Sequence, residues 1–370
     1  MNNRQPLKQI LSATRSHWDR PEVRGSVREN FKKIIDCRTL ALGAEVFASG
    51  NEEKIVYHTC KSRSCPSCGQ RATLLWQRDQ WSALPDIPYI GINFTMPDVL
   101  WPIFRQNRHL LHDLPALGAA VIQQWVKGTY GVRVQVLVVP HTFGRHLNFN
   151  VHLHIMVSVA GVKESDGRLI SPLRFDRRAL MPMWRYAVIT FLRAALKKGL
   201  LASEARAEEL RGMLRTQYER WWNVYVDPIR SKWHFLRYVA RYVRRPPIAQ
   251  HRFTKITDQK VEFLTKDTRQ KRVVTTRYPI EEFVDVLAEH VPDRYRHAMR
   301  RFGLLAPRAQ RTASAALFLQ LGQIKRPPVQ RLSWRSSMLK SFGTDPLLDR
   351  HGQSMQWVRR LKPFLEKATA

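Results

Sequence analysis

The runs VRVQVLVVPHT (132–142) and VHLHIMVSV (151–159), joined by FGRHLNFN (143–150), decide how this chain is read. The first run is rich in valine and the second is apolar, and a short link holding a glycine between two such runs predicts a β-hairpin. Residues two apart on a strand point to one face. His152 and His154 therefore project side by side, while Leu153 turns to the opposite face and into a core. His141, at the end of the first run, lies where a hairpin would return it beside the pair. His146, inside the link, is a weaker candidate. Imidazoles aimed together can hold a divalent metal ion or a phosphate. A His-x-His pair alone is common on strands; a third histidine at hairpin spacing makes it a candidate metal site.

Outward from the hairpin, IPYIGINFTM (87–96) predicts another strand, ended by Pro97. Helices are expected at 1–36, Asp98–His112, Pro115–Lys127, Arg177–Lys198 and Ala202–Arg220. Trp221–Val226 reads as a strand. Asp227-Pro228 is expected to open a helix that runs to Arg245, where Pro246-Pro247 stops it. Short strands at His251–Ile256, Lys260–Thr265 and Arg272–Arg277 alternate with basic turns, and helices are expected at Ile280–His290 and Pro292–Arg301. Mixed rather than alternating elements predict an α+β fold with a mainly antiparallel sheet. Three regions follow: a basic, cysteine-bearing module over 1–85, a central domain over 86–278, and a basic, mainly helical C-terminal region over 279–370. No glycine-rich nucleotide-binding fingerprint is present.

The 370 residues hold 62 Lys plus Arg against 30 Asp plus Glu, a formal charge of +32. Such an excess predicts a polyanionic partner, and eleven Trp and ten Tyr offer surfaces on which unpaired bases can stack. No segment is apolar over the roughly 18 residues a membrane helix needs, and the first residues lack a signal-peptide pattern. The expectation is a cytoplasmic protein with no membrane partner. Cys60, Cys65 and Cys68 fall within nine residues. With Cys37, or alternatively His58, as fourth ligand they predict one structural Zn²⁺.

The segment SKWHFLRYVARYVRR (231–245) places Tyr238 and Tyr242 four apart, on one helix face. Arg237, Arg241, Arg244 and Arg245 flank them as candidate DNA-binding residues. A phenol of pKa about 10 is a poor nucleophile at neutral pH, but cations that stabilise the phenolate and the phosphate it attacks make it useful. A metal that polarises a phosphodiester and a tyrosine that attacks it would make a nuclease that stays attached to DNA.

Taken in order, Cys37-Arg-Thr39, the Cys60–Cys68 cluster, His141-Thr-Phe-Gly144, Asn150-Val-His152-Leu-His154, Tyr238-Val-Ala-Arg-Tyr242, Arg245-Pro-Pro-Ile-Ala249, His290-Val-Pro292, Arg301-Phe-Gly303 and Asp345-Pro-Leu347 resemble the rolling-circle transposases of insertion-sequence family 91, within the two-tyrosine HUH endonucleases. The resemblance implies an antiparallel HUH nuclease core with flanking helices. It implies that Tyr238 and Tyr242 are nucleophiles that form 5′-phosphotyrosine bonds, and that His141, His152 and His154 hold Mg²⁺ or Mn²⁺. The implied partners are single-stranded and hairpin DNA of transposon ends, target DNA, and host replication or helicase proteins. A plasmid rolling-circle replication initiator or a relaxase would use the same chemistry. A zinc-containing DNA-binding regulator with inert histidines is the alternative from another class. The chain departs from the family in three places. Residues 45–50 carry no C-x-x-C pair, residues 348–352 carry none either, and Val151 stands where a proline is usual.

Overall fold

The valine-rich runs do pair. In the computed structural model, which describes residues 5–243, 246–267, 271–309, 313–327 and 329–364, strand Val132–Phe143 lies antiparallel to Phe149–Lys163, with His141 directly opposite His152. Phe149–Lys163 also pairs with Tyr89–Thr95, which pairs in turn with Val224–Ile229. Arg300–Gly303 closes the other edge of this sheet, and the two-residue strand Leu169–Ile170 adds to Phe149–Lys163. Every pairing in it is antiparallel.

Strand alternation divides the sheet into two apolar faces. On one side Val134, Val136, Val138, Leu153, Ile155 and Val157 pack in one core with helices Leu114–Tyr130 and Arg177–Lys197. Leu153 is fully buried there, as the alternation requires. Gly118 lets its helix settle on the histidine strand: a Cβ at that position would meet Leu153 Cδ1 at 2.5 Å and Ile155 Cδ1 at 3.1 Å. On the opposite side Leu137, Val139 and Met156 meet Phe235, Leu236, Val239 and Val243 of the helix Lys232–Val243. That helix carries the two tyrosines over the face that carries the three histidines. Helix Pro66–Trp81 packs against it.

Two smaller antiparallel sheets flank this layer. Val273–Pro279, Lys260–Lys266 and Phe253–Ile256 form one. The other joins Ala44–Ser49 and Glu52–Tyr57 to Gln356–Leu361 from the far end of the chain. The C-terminal segment thus contributes an edge strand to the central sheet and another to the cysteine-bearing module. No helix among the described residues is long and apolar enough to cross a membrane.

Several expected elements differ. Asp227-Pro228 belongs to the strand Val224–Ile229, and the tyrosine helix starts at Lys232. An edge strand tolerates proline because one row of its backbone groups has no ladder to complete. The helix expected over Pro292–Arg301 is absent; Tyr295 takes a left-handed φ of 62°, which ends helical winding, and Arg300–Gly303 extends into the sheet. Asp98–His112 breaks into short turns around Trp101–Gln106. The hairpin Ala44–Tyr57 and the helix Pro66–Trp81 are additional elements, although Gly50-Asn51, with Gly50 at φ 56°, is a turn signal between two strands.

Candidate active site and metal centres

The antiparallel register makes the histidine cluster. His141 opposes His152, Val139 opposes His154, and Asn93 of the next strand opposes His154 from the other side. One nitrogen from each of His141, His152 and His154 lies within 4.8 Å of the others. His146 is not in the cluster; its Nδ1 lies 3.1 Å from Thr276 Oγ1.

Hydrogen bonds fix which nitrogen of each ring carries the proton. His152 Nδ1 donates to the Asn150 carbonyl at 2.9 Å, His154 Nδ1 donates to Asn93 Oδ1 at 2.6 Å, and His141 Nε2 donates to the Tyr242 carbonyl at 3.0 Å. A neutral imidazole has one N–H, so the bare nitrogens are Nδ1 of His141 and Nε2 of the other two. The two Nε2 atoms face each other at 3.1 Å. Two opposed lone pairs repel unless a cation lies between them. Acceptors behind each ring are also the usual outer support of metal-bound histidines. The donor set therefore fits a metal ion.

Burial holds these rings neutral. It pushes His141 down to about 3, with His152 the next contributor. It also lowers His152, and it lowers His154 well below the usual range, helped by both neighbouring histidines. Protons therefore do not compete with a metal at neutral pH.

The tyrosines arrive from the facing helix. Tyr242 stacks on His154 with ring centres 3.7 Å apart and meets His141 edge-on at 5.1 Å. Tyr238 lies 6.3 Å from His154 and 5.1 Å from Tyr242. Burial raises the Tyr238 pKa, followed by the neighbouring Tyr242, while a hydrogen bond from Asn93 pulls the other way. Asn93 thus accepts from a histidine of the cluster and donates to a tyrosine. Sequence reading passes over it, although an asparagine in the apolar run IPYIGINFTM is a signal.

A cleft of about 1030 Å³ opens from the cluster, lined by His141, His152, His154 and Tyr242 together with Arg145, Arg252 and Lys266. Tyr238 is not among its lining residues. The arginines expected to bind DNA are placed differently. Arg237 is exposed, covers the Trp233 ring at 4.4 Å, and lines a neighbouring cavity. The side chain of Arg241 and all of Arg244 and Arg245 lie outside the described residues. Arg145 lies in the hairpin link, Arg252 in an expected strand and Lys266 just after one, and nothing in the sequence sets these three apart from the many other basic residues.

The cysteines gather separately. All four sulfurs lie within 4.8 Å of one another, with Cys37 and Cys60 at 3.6 and 3.7 Å from Cys68. His58 is turned away, its ring nitrogens at 3.0 Å from the Leu42 carbonyl and 3.2 Å from Glu45. The neighbouring sulfurs, Cys37 foremost, and burial push the Cys60 and Cys65 thiols up, a crowding that a divalent cation would reverse.

A family model described as "Putative transposase" matches residues 136–313, which hold the three histidines and both tyrosines. A second, described as "Transposase zinc-binding domain", matches residues 7–96, which hold all four cysteines. Together they cover more than two thirds of the chain. The chain is 29% identical over 318 residues to the transposase for insertion sequence element IS801 of Pseudomonas savastanoi pv. phaseolicola, covering 82% of this chain and 77% of that protein. The chain belongs to the transposases of insertion-sequence family 91. It is also 29% identical over 290 residues to "Putative transposase y4qJ" of Sinorhizobium fredii (strain NBRC 101917 / NGR234), covering 74% and 72%. No solved structure matches it. The four-cysteine cluster of this transposase fits structural zinc.

His290 braces the loop beside the site. Its Nε2 donates to the Leu147 carbonyl at 2.6 Å and its Nδ1 lies 3.3 Å from Thr142 Oγ1. Burial holds its pKa down to about 4 from 6.5. Folding therefore disfavours its protonation: the stability tied to neutral His290 is complete above about pH 6.5 and is lost as pH falls toward 4, at up to about 1.4 kcal/mol per unit. Urea midpoints of the transposase should fall over this window. His290→Gln, which cannot titrate, should fall less steeply there; an identical slope would remove His290 from the account.

Proposed function

We propose that this transposase cuts single-stranded DNA at transposon ends with a tyrosine, forming a 5′-phosphotyrosine bond and a free 3′-hydroxyl, and passes the strand to a target by a rolling-circle-like route. The observation that carries the reading is Tyr242 stacked on His154 at the head of a basic cleft. In this reading residues 86–278 form an HUH nuclease core, residues 1–85 a zinc-braced DNA-binding module, and residues 279–370 a basic region that ties the two together. The substrates are single-stranded and hairpin DNA of transposon ends and then target DNA, with host replication or helicase proteins exposing the strand. The similarity to transposases favours transposition over plasmid replication or conjugation, which would use the same chemistry.

His141, His152 and His154 would hold the ion, and imidazole ligands favour Mn²⁺ over Mg²⁺. Bound there, a divalent cation supplies Lewis-acid polarisation of a phosphodiester. The remaining steps belong to the protein. Arg145 and Lys266 draw the backbone of the strand into the cleft. The Tyr242 oxygen attacks phosphorus and loses its proton to solvent. The bond from phosphorus to the 3′ oxygen breaks, and that oxygen leaves as a hydroxyl after taking up a proton. The phosphotyrosine retains the energy of the broken bond, so a later 3′-hydroxyl can attack it and free the tyrosine. Tyr238 serves a second strand while the first is held.

The test is an SDS-resistant adduct between the transposase and a labelled single-stranded oligonucleotide carrying the transposon end, formed only with added Mg²⁺ or Mn²⁺. No adduct with either ion, or equal yield in chelator, would overturn the proposal. Asn93 sharpens the test, because it orients His154 and bonds Tyr238. Asn93→Ala should slow adduct formation about 10–100-fold and raise the Mn²⁺ concentration for half-maximal yield. A slower rate at unchanged metal demand would reduce Asn93 to a packing role.

A further inference from the structure

A separate cavity of about 480 Å³ lies at the free edge of the central sheet, lined by Arg177, Arg178, Trp221, Asn223, Val224 and Tyr225. Large aromatic side chains are normally turned into a core. Here Trp221 is 61% exposed and Tyr225 51% exposed, side by side with two arginines. Neither guanidinium forms an ion pair among the described residues. The Asp176 side chain is occupied in capping the helix, accepting from the Arg178 backbone N–H at 2.8 Å.

The cavity is wired to the histidine strand. Tyr225 pairs directly with Asn93, which pairs with His154, so Tyr225 projects from the face that carries the histidines. The Asn223 carbonyl accepts from Thr95 Oγ1 at 2.8 Å, and Thr95 pairs with His152. Two strand spacings, roughly 10 Å, separate Tyr225 from His154. The arginines open the helix packed on the opposite face, so the cavity sits at the sheet edge, and a DNA strand lying across the histidines and over that edge would reach it within a few nucleotides.

We infer that this cavity is a nucleobase subsite: an unpaired base of the DNA strand stacks on Trp221 and Tyr225 while Arg177 and Arg178 hold the adjoining phosphates. Exposed rings suit any base, because every base has a π-face, and they exclude duplex DNA, whose bases already stack. The arginines and the net charge of +32 select a polyanion over a neutral peptide. The inference rests on the reading of the histidine cleft as the place where a strand is cut, and it adds where the strand leaves that cleft.

The test uses the full chain and a fluorescein-labelled oligothymidylate carrying a photoreactive 5-iodouracil. Trp221→Ala combined with Tyr225→Ala should weaken single-strand binding about tenfold or more, with little change in salt dependence. Trp221→Phe with Tyr225→Phe should restore most of it. Arg177→Ala with Arg178→Ala should instead flatten the salt dependence, because two phosphate contacts are lost. Photo-crosslinks should map to Trp221 or Tyr225. Unchanged affinity in the alanine variant, crosslinks confined to other segments, or an equal loss of duplex binding would each overturn the inference. Binding and crosslinking need no cutting, so they report on the subsite even if no tyrosine adduct forms. If adducts form and neither binding nor crosslinks respond, the subsite alone falls.

Discussion

Replacing Tyr238 and Tyr242 together by phenylalanine is expected to lower covalent protein–DNA adduct by at least about a thousandfold, the scale on which loss of a nucleophile acts, while single-strand binding persists. Phenylalanine keeps the stacking of ring 242 on His154 and the packing of ring 238 beside it, and removes only the hydroxyls, so the fold is not at stake. The single variants should differ. Tyr242 lines the cleft and stacks on His154, whereas Tyr238 lies farther from the histidines and is held by Asn93. Burial makes the Tyr238 phenol harder to ionise, which suits a hydroxyl that acts after the first. Tyr242→Phe should therefore abolish the first cut. Tyr238→Phe should leave the first adduct in place and block strand transfer to a second oligonucleotide. Adduct persisting in the double variant would end the tyrosine mechanism, and loss of the first cut in Tyr238→Phe would reverse the order.

Much of this site was legible because strand and helix periodicities are rigid rules. Spacing of two put His152 and His154 on one face, hairpin length returned His141, and spacing of four aligned the tyrosines. What periodicity cannot give is which separate elements meet. Asn93 belongs to a strand whose partners are fixed only by the sheet order, so its place between His154 and Tyr238 is a tertiary fact. Arg145 and Lys266 reach the cleft because the small sheet Phe253–Pro279 folds beside the hairpin loop. The errors have the same origin. Pro228 reads locally as a helix start, and only its place on an edge strand makes it acceptable there. Pro292–Arg301 has a plausible helical composition, but Tyr295 takes a left-handed turn and Arg300–Gly303 finds an open sheet edge. The return of Gln356–Leu361 to the cysteine-bearing module spans nearly the whole chain and leaves no local trace.

Cys65→Ser should be the most damaging single substitution for stability. The cysteine cluster joins three elements: Cys37 ends the helix Gly25–Asp36, Cys60 follows the strand Glu52–Tyr57, and Cys65 and Cys68 open the helix Pro66–Trp81. Structural zinc in small modules contributes folding free energy on the order of 10–16 kcal/mol. Loss of one buried thiolate should cost the module about 4 kcal/mol or more, the range in which loss of a metal falls. The damage should also reach the histidine and tyrosine cluster. Helix Pro66–Trp81 packs on the tyrosine helix, with Gln77 donating to the Leu236 carbonyl at 3.2 Å, and the turn that follows the tyrosine helix bonds it too, Gln250 donating to Ser67 Oγ at 2.9 Å. Arg63 and Ser64, inside the cysteine loop, line a small cavity with His141 and Tyr242. Wild-type protein should carry one zinc per chain by elemental analysis and release it to a strong chelator with loss of protease resistance over residues 1–85. Cys65→Ser should be zinc-poor, protease-sensitive in the same segment, and poor at forming adduct even with ample Mn²⁺. His58→Ala should keep its zinc, because His58 bonds Leu42 and Glu45 rather than the sulfurs. Full zinc content in Cys65→Ser, or its loss in His58→Ala, would reassign the ligands; normal adduct from a zinc-poor protein would separate the two centres altogether.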